Sequence, residues 1–253
     1  MTRTSRSGTS NDEAFIGGLP ESYAHWRGSR LGQITDRLEE QLLLDLLGPV
    51  DQLDVLDVGC GDGALASALA HRGTRVTALD MDARMLDAAR ARKEGETTSL
   101  NFVRGRAEAL PFPSEAFDRV VAVTVLCFVS EMDRSIAEIV RVLKPGGWLV
   151  LGELGRWSLW AAVRRIRGWL GSSTWAPARF RTAAELQNLL EQHGLTIREV
   201  RGAAFYPPSD FAASLLSPVD SRLGRRTTVG AAFIGLSATK PVHPTLVGAG
   251  PMP

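Results

Sequence analysis

Apolar positions of two kinds take turns along most of the chain: some recur at three- and four-residue spacing, others form short continuous runs. "ESYAHWRGSR" reads as a short amphipathic element, and "ITDRLEEQLLLDLLG" repeats leucine at helical spacing before a Gly-Pro stop. Then "LDVLDV" is a short strand, "GALASALAHRG" a helix closed by glycine, "RVTALD" a second strand and "DARMLDAARARKEG" a helix with an aspartate start and a glycine end. "LNFVRG" and "FDRVVAVTV" follow as strands around the proline-broken loop "LPFPSEA". "DRSIAEIVRVLKPGG" is a helix with a Pro-Gly stop, and "WLVLGEL" is the fifth strand. Strand and helix alternating in this way predict a mostly parallel sheet covered on both faces. After it, "TAAELQNLLEQHG" predicts a helix, "LTIREVRGAAFYPP" a strand, "SDFAASLLSPVDSRLG" a helix around a proline and "TTVGAAFIGLSATK" a last strand.

One stretch breaks the alternation. "RWSLWAAVRRIRGWLGSSTWAPARF" holds four tryptophans among many arginines, and is expected to form an insertion or lid at about 155–181. On a helical wheel Leu159, Ala162, Val163, Ile166, Trp169 and Leu170 share one face, with Arg164, Arg165 and Arg167 away from it. Two readings follow. The helix packs over the mouth of a site with its arginines in water, or 156–170 rests on an anionic bilayer and admits a lipid-like molecule.

A chain of 253 residues can fold as one large α/β domain. The Ser, Thr, Gly and Pro content of both ends places a mobile arm at 1–18, a domain at 19–240 and a mobile tail at 241–253. With 29 basic and 28 acidic residues, net charge makes no case for nucleic acid or an acidic partner. Cys60 and Cys127 have no metal-type spacing and read as reduced and buried, so no metal is expected. No apolar run reaches the roughly 20 residues of a membrane span. The N-terminus lacks a signal-peptide core, which points to the cytoplasm.

The candidate chemistry lies in "LDVGCGDGALASALA", where an apolar strand runs into Gly59-x-Gly61-x-Gly63 and then a helix. Such a turn lets a ligand approach the backbone, and a dinucleotide, a mononucleoside or nothing at all could fill it. The nicotinamide fingerprint wants G-x-G-x-x-G, and the spacing here is one residue short. Asp57, just before the turn, would crowd a pyrophosphate but suits an ammonium; it can equally cap the turn's own N–H groups. Asp80 ends the second strand, 21 residues after Gly59, where a carboxylate can accept both hydroxyls of a ribose. A ligand with a ribose and a positive amine but no diphosphate fits S-adenosylmethionine. Asp82 reads as the N-cap of the next helix.

"VLDVGCGDGALASALA", "RVTALDMDARML", "RGRAEALPFPSEAFDRVVAVTVL" and "EIVRVLKPGGWLVLGEL" resemble the successive motifs of the class I S-adenosylmethionine-dependent methyltransferases. The likeness is nearest to the small-molecule branch of ubiquinone and menaquinone biosynthesis, and it covers roughly 53–153. "YAHWRGSRLGQI" is similar to the N-terminal pattern that closes over the cofactor in that branch. The resemblance implies a Rossmann-like α/β fold with a seven-stranded, mostly parallel sheet and a helical lid after strand five. It also implies S-adenosylmethionine as cofactor and S-adenosylhomocysteine as product. Gly59, Gly61 and Gly63, with Cys60 between them, would hold the methionyl part, Asp80 the ribose, and Met81 would pack on adenine.

In one place the chain departs from the family. Where the family often has Gly-Asp-Ala, with the aspartate near the adenine amino group, this chain has Gly105-Arg106-Ala107-Glu108. Arginine cannot accept that hydrogen bond. Glu108 or a backbone carbonyl near Ala107 is expected to do so, or Arg106 turns outward.

Thr124, at the end of the fourth strand, either faces the cofactor or pairs in the sheet. Tyr23 and Trp26 are expected as walls for cofactor or substrate, and His25 as a surface residue or a base. Glu153, Trp157 and Trp160 complete a substrate pocket for a small, partly apolar molecule. A catalytic base is needed only if the nucleophile arrives protonated, and the sequence names none. The competing readings are a lipid or quinone methyltransferase at the membrane face and a partner protein that binds the cofactor without catalysis. Nucleic-acid methylation is disfavoured, because "TVLCFVSE" replaces the Asn-Pro-Pro-aromatic signature and no basic domain is appended.

Overall fold

The structure, a computed structural model, describes residues 19–92, 99–172 and 175–242, with side chains from Tyr23 onward. The arm expected at 1–18, the glycine end expected at Gly95 and all but the first two residues of the tail lie outside the described residues.

Seven strands form one sheet in the order β3-β2-β1-β4-β5-β7-β6. They are β1 (Asp54–Val58), β2 (Arg75–Asp80), β3 (Leu100–Arg104), β4 (Phe117–Val123), β5 (Leu143–Leu154), β6 (Thr196–Ala203) and β7 (Phe233–Thr239). Strands β3 to β5 in that order pair in parallel, and β7 runs antiparallel between β5 and β6. The described helices are α1 (Leu19–Gly28), α2 (Arg30–Leu47), α3 (Ala64–Ala70), α4 (Ala83–Arg92), α5 (Met132–Val142), α6 (Leu159–Trp169), α7 (Ala183–Gln192) and α8 (Asp210–Gly224).

Successive strand residues point to opposite faces, so a continuous apolar strand feeds two cores. Leu56 and Val58 pack on one side with Ile136 and Ile139 of α5 and Leu186 and Leu190 of α7. Val55 packs on the other with Leu43 and Leu47 of α2, Leu69 of α3 and Leu86 of α4. Each fully buried leucine is worth about 1.5–3 kcal/mol, so the buried stripe Leu42, Leu43, Leu46 and Leu47 holds α2 firmly on the sheet. Ser29 starts that helix by accepting the Gly32 N–H (3.0 Å). Leu43 of that stripe also borders, with Asp36, Glu39 and Glu40, the cavity described below.

The insertion after β5 differs in orientation from the first of its two readings. Its apolar stripe faces outward: Leu159 is 61% exposed, Trp169 85% and Leu170 82%. Two of the three arginines turn inward and stack, Arg164 over Trp160 and Trp175 (5.2 and 4.7 Å) and Arg165 over Phe180 (5.2 Å), while Arg167 stays exposed. Guanidinium faces are weakly hydrated and lie well on indole rings, so they take the inner positions that a wheel reserves for aliphatic side chains.

Candidate functional site

The turn after β1 is made by backbone conformation. Gly59, Gly61 and Gly63 have φ of 70°, 55° and 74°, a region that residues with a Cβ seldom enter. Their surroundings differ. A Cβ at Gly59 would strike the Val125 side chain and one at Gly63 would lie 2.7 Å from the Ala89 Cβ, whereas nothing stands within 4 Å of one at Gly61. The first and third glycines are packed against protein; the middle one borders open space.

The end of β2 ties itself to this turn. The Gly59 and Cys60 N–H groups both donate to the Leu79 carbonyl (2.7 and 2.9 Å). Asp80 Oδ2 accepts the Gly61 N–H (2.8 Å) and Oδ1 the Asp82 N–H (2.9 Å). Each carboxylate oxygen keeps a further lone-pair site for a hydroxyl. Burial raises the Asp80 pKa, and these two amides oppose the rise.

Beside the turn lies a cavity of about 220 Å³. Its walls include Asp57 of β1, Gly59 to Asp62 of the turn, Val123 at the end of β4 with Thr124 and Phe128 after it, Asp36, Glu39, Glu40 and Leu43 of α2, and Tyr23 and Arg27 of α1. Asp57 is 2% exposed, and its Oδ2 has no hydrogen-bond partner. Burial, helped by the charge of Asp80, pushes its carboxyl up to about 7. An unpaired buried acceptor is costly; Glu153 Oε2 is likewise buried without a partner, but only Asp57 borders the cavity. A larger cavity of about 560 Å³ lies under α6, lined by Arg156, Arg165, Trp169, Trp175 and Arg179, and it touches none of the turn residues.

Thr124 has φ of 51°, rare for a β-branched residue and typical of strained functional positions. Its N–H still closes the ladder on the Gly152 carbonyl (2.7 Å), so pairing in the sheet and facing the cavity are both realised.

Of the residues singled out in the sequence, Tyr23, Asp57, Gly59, Cys60, Gly61 and Thr124 share this cavity. Asp80 reaches it through Gly61, and Gly105 stands beside Asp80, donating its N–H to the Asp80 carbonyl (3.0 Å). Arg106 turns outward, pairs with Glu108 (3.5 Å) and leaves Ala107 buried. The Met81 carbonyl accepts from Arg104 (3.1 Å).

None of the five side chains expected to form the substrate pocket lines the cavity. Trp26 turns away to stack edge-on against Trp160 (5.5 Å), whose indole N–H donates to the Tyr206 carbonyl (2.7 Å). His25 and Trp157 are exposed. Glu153 is buried, with Oε1 accepting the Leu126 N–H (2.9 Å) and its carboxyl pushed up to about 7 by burial. It supports the chain after β4 from behind.

Arg27, Asp36, Glu39, Glu40, Leu43 and Phe128 are among the cavity residues that sequence reasoning passed over. The signal was available: Asp36, Glu39, Glu40 and Leu43 share one helical face, and Arg27 stands four residues after Tyr23. Arg27 bridges the two walls, reaching Asp36 at 3.3 Å and Asp62 at 3.6 Å.

A methyltransferase-domain family model matches residues 56–151. The chain is 30% identical over 169 residues to the ubiquinone biosynthesis O-methyltransferase of Bartonella tribocorum, covering 65% of this chain and 68% of that one. The corresponding protein of Paramagnetospirillum magneticum is 32% identical over 170 residues, with the same coverage. The chain belongs to the class I S-adenosylmethionine-dependent methyltransferases.

The fold of this methyltransferase agrees. A SAM-dependent methyltransferase of Thermotoga maritima superposes with a TM-score of 0.74 at 25% identity, over 90% of this chain and 99% of that one. The [4+2]-cyclase SpnF, at 24% identity and a TM-score of 0.60 over 80% of each chain, shares the fold alone. S-adenosylmethionine is thus the cofactor, and the site offers what it needs: a buried unpaired acceptor at Asp57, open space over Gly61 and spare acceptor capacity on Asp80. No helix among the described residues is long and apolar enough to cross a membrane.

Proposed function

We propose that the turn and its cavity hold S-adenosylmethionine and that the enzyme transfers the methyl group to a small, partly apolar acceptor. The buried, partnerless Oδ2 of Asp57 carries this reading, because an α-ammonium is the donor that would satisfy it. Arg27 is the cavity's cation and would take the α-carboxylate, Asp80 the ribose hydroxyls, and the stretch from Arg106 to Glu108 the adenine edge through its backbone. The cofactor supplies an already activated methyl; the protein's part is to align it and exclude water. The named relatives are O-methyltransferases of ubiquinone biosynthesis, which supports an oxygen acceptor.

Incubation with methyl-labelled S-adenosylmethionine and host extract is expected to put label into a small molecule that partitions into organic solvent. Label confined to macromolecules would contradict the acceptor class, and cofactor binding without any label would favour a non-catalytic partner.

A second reading concerns where the acceptor is found. The outward apolar stripe of α6, with Trp157 and Trp169 exposed and the exposed Arg167 on the same helix, is suited to the interface of an anionic bilayer. Cosedimentation with vesicles containing anionic lipid is expected at low salt and to weaken as salt rises. No binding at low salt would remove this reading and leave methyl transfer untouched.

A further inference from the structure

Glu39 projects from α2 into the same cavity as Asp57, Thr124 and Phe128, one turn before Leu43. Of the cavity's other carboxyl groups, Asp36 pairs with Arg27, Asp62 pairs with Arg27 and Arg92, Asp57 is assigned above to the α-ammonium, and Glu40 is exposed to solvent where Glu39 is half-buried. Burial drives the thiol of Cys60 far up and the phenol of Tyr23 above its usual value, so neither takes up a proton near neutrality. His25 is exposed and outside the walls. Among the described residues Glu39 has no hydrogen bond or ion pair, although it is held among the charges of Asp36 on its own helix, Arg27 of α1, Arg164 of α6 and Asp220 of α8.

We propose that Glu39 is the base of this enzyme, taking the proton that an acceptor hydroxyl loses as it is methylated. The proposal rests on the methyl-transfer reading above and names a residue for a step which that reading leaves open. In that step a bond forms between the acceptor oxygen and the methyl carbon, and the sulfur–methyl bond breaks with its electron pair passing to sulfur. The oxygen–hydrogen bond breaks toward a Glu39 carboxylate oxygen, and the proton then leaves to water.

Charge favours this direction. Burial and Asp36 hold the Glu39 carboxyl at about 8, against the opposing pull of Arg164 from α6 and Arg27 from α1, with Asp220 of α8 adding to the rise. A carboxyl in that range is matched to proton transfer near neutrality. A nearby positive sulfonium would keep Glu39 ionised before the reaction. Loss of that charge on methyl transfer raises the carboxylate's proton affinity at the moment the acceptor must give a proton up.

The test compares the full-length protein with Glu39→Gln, which keeps shape and removes the base. Calorimetry should give affinities for S-adenosylmethionine and S-adenosylhomocysteine within about threefold of wild type. Labelling of products in extract should fall by about a hundredfold or more, and the rise of rate between about pH 6.5 and 8 should disappear. Glu39→Asp should recover part of the rate. Infrared difference spectra of the S-adenosylhomocysteine complex should show one protonated carboxyl in wild type that the variant lacks.

Labelling by Glu39→Gln at more than about a tenth of the wild-type rate would overturn the proposal. So would a fall in labelling matched by an equal fall in cofactor affinity, or the absence of that carboxyl from the difference spectra. No label from wild type itself would overturn the methyl-transfer reading and this proposal with it.

Discussion

Asp80→Ala is expected to weaken S-adenosylmethionine binding more than tenfold. The carboxylate has two employments: it braces the Gly61 and Asp82 N–H groups at 2.8 and 2.9 Å, and it is the acceptor placed for a ribose. Hydrogen bonds to a charged group are worth roughly 1.5–3 kcal/mol, which alone gives a tenfold loss or more. The orphaned amides add to it, because Gly61 no longer has a partner to fix the turn over which the cofactor lies. Asp80→Asn should fall between, since an amide keeps one acceptor and can hold only one of the two N–H groups. Calorimetric titration of the three proteins checks this. Unchanged affinity in Asp80→Ala would refute the ribose assignment.

The second large effect concerns pH. Burial pushes the carboxyls of Asp57 and Glu153 up to about 7 and that of Glu39 up to about 8. Between the ordinary carboxyl range near 4 and those values, the folded protein binds more protons than the unfolded chain. Stability of the free protein should therefore fall as pH rises from about 5 to 8.

A bound α-ammonium reverses this for Asp57 by favouring its charged form. Stabilisation by S-adenosylhomocysteine, which carries the same amine, is thus expected to be larger at about pH 8 than at pH 5.5, where binding must first displace a proton. The difference for one group should be on the order of 2 kcal/mol. Thermal melts with and without S-adenosylhomocysteine at the two pH values measure it, and Asp57→Asn should make the two shifts alike. Equal shifts in wild type would place the amine elsewhere.

The sheet and the cofactor turn were legible because both are local patterns. A continuous apolar strand, positive-φ glycines and an acid at the next strand end occupy short stretches of chain, and the spacing of Gly59, Gly61, Gly63 and Asp80 carries over directly into the structure. The substrate wall was not legible in that way. Trp26 and Trp160 look like pocket aromatics, but they meet each other and the Tyr206 carbonyl, since a large ring with a polar edge is satisfied in a packed core. Glu39 and Arg27 look like the solvated face of two amphipathic helices, and only packing against α6 and the strand ends turns that face inward. The position of β7, antiparallel between β5 and β6, depends likewise on contacts distant in sequence. For α6, periodicity identified the stripe correctly but not which side faces water, because arginine stacked on tryptophan competes for the inner side.

The most direct measurement is a crystal structure with S-adenosylhomocysteine bound. The ribose hydroxyls are expected on Asp80, the amine on Asp57 Oδ2 and the carboxylate beside Arg27, with the thioether sulfur facing the part of the cavity bounded by Thr124 and Glu39. Density for the nucleoside away from Asp80, or for the amine away from Asp57, would contradict this account of the site.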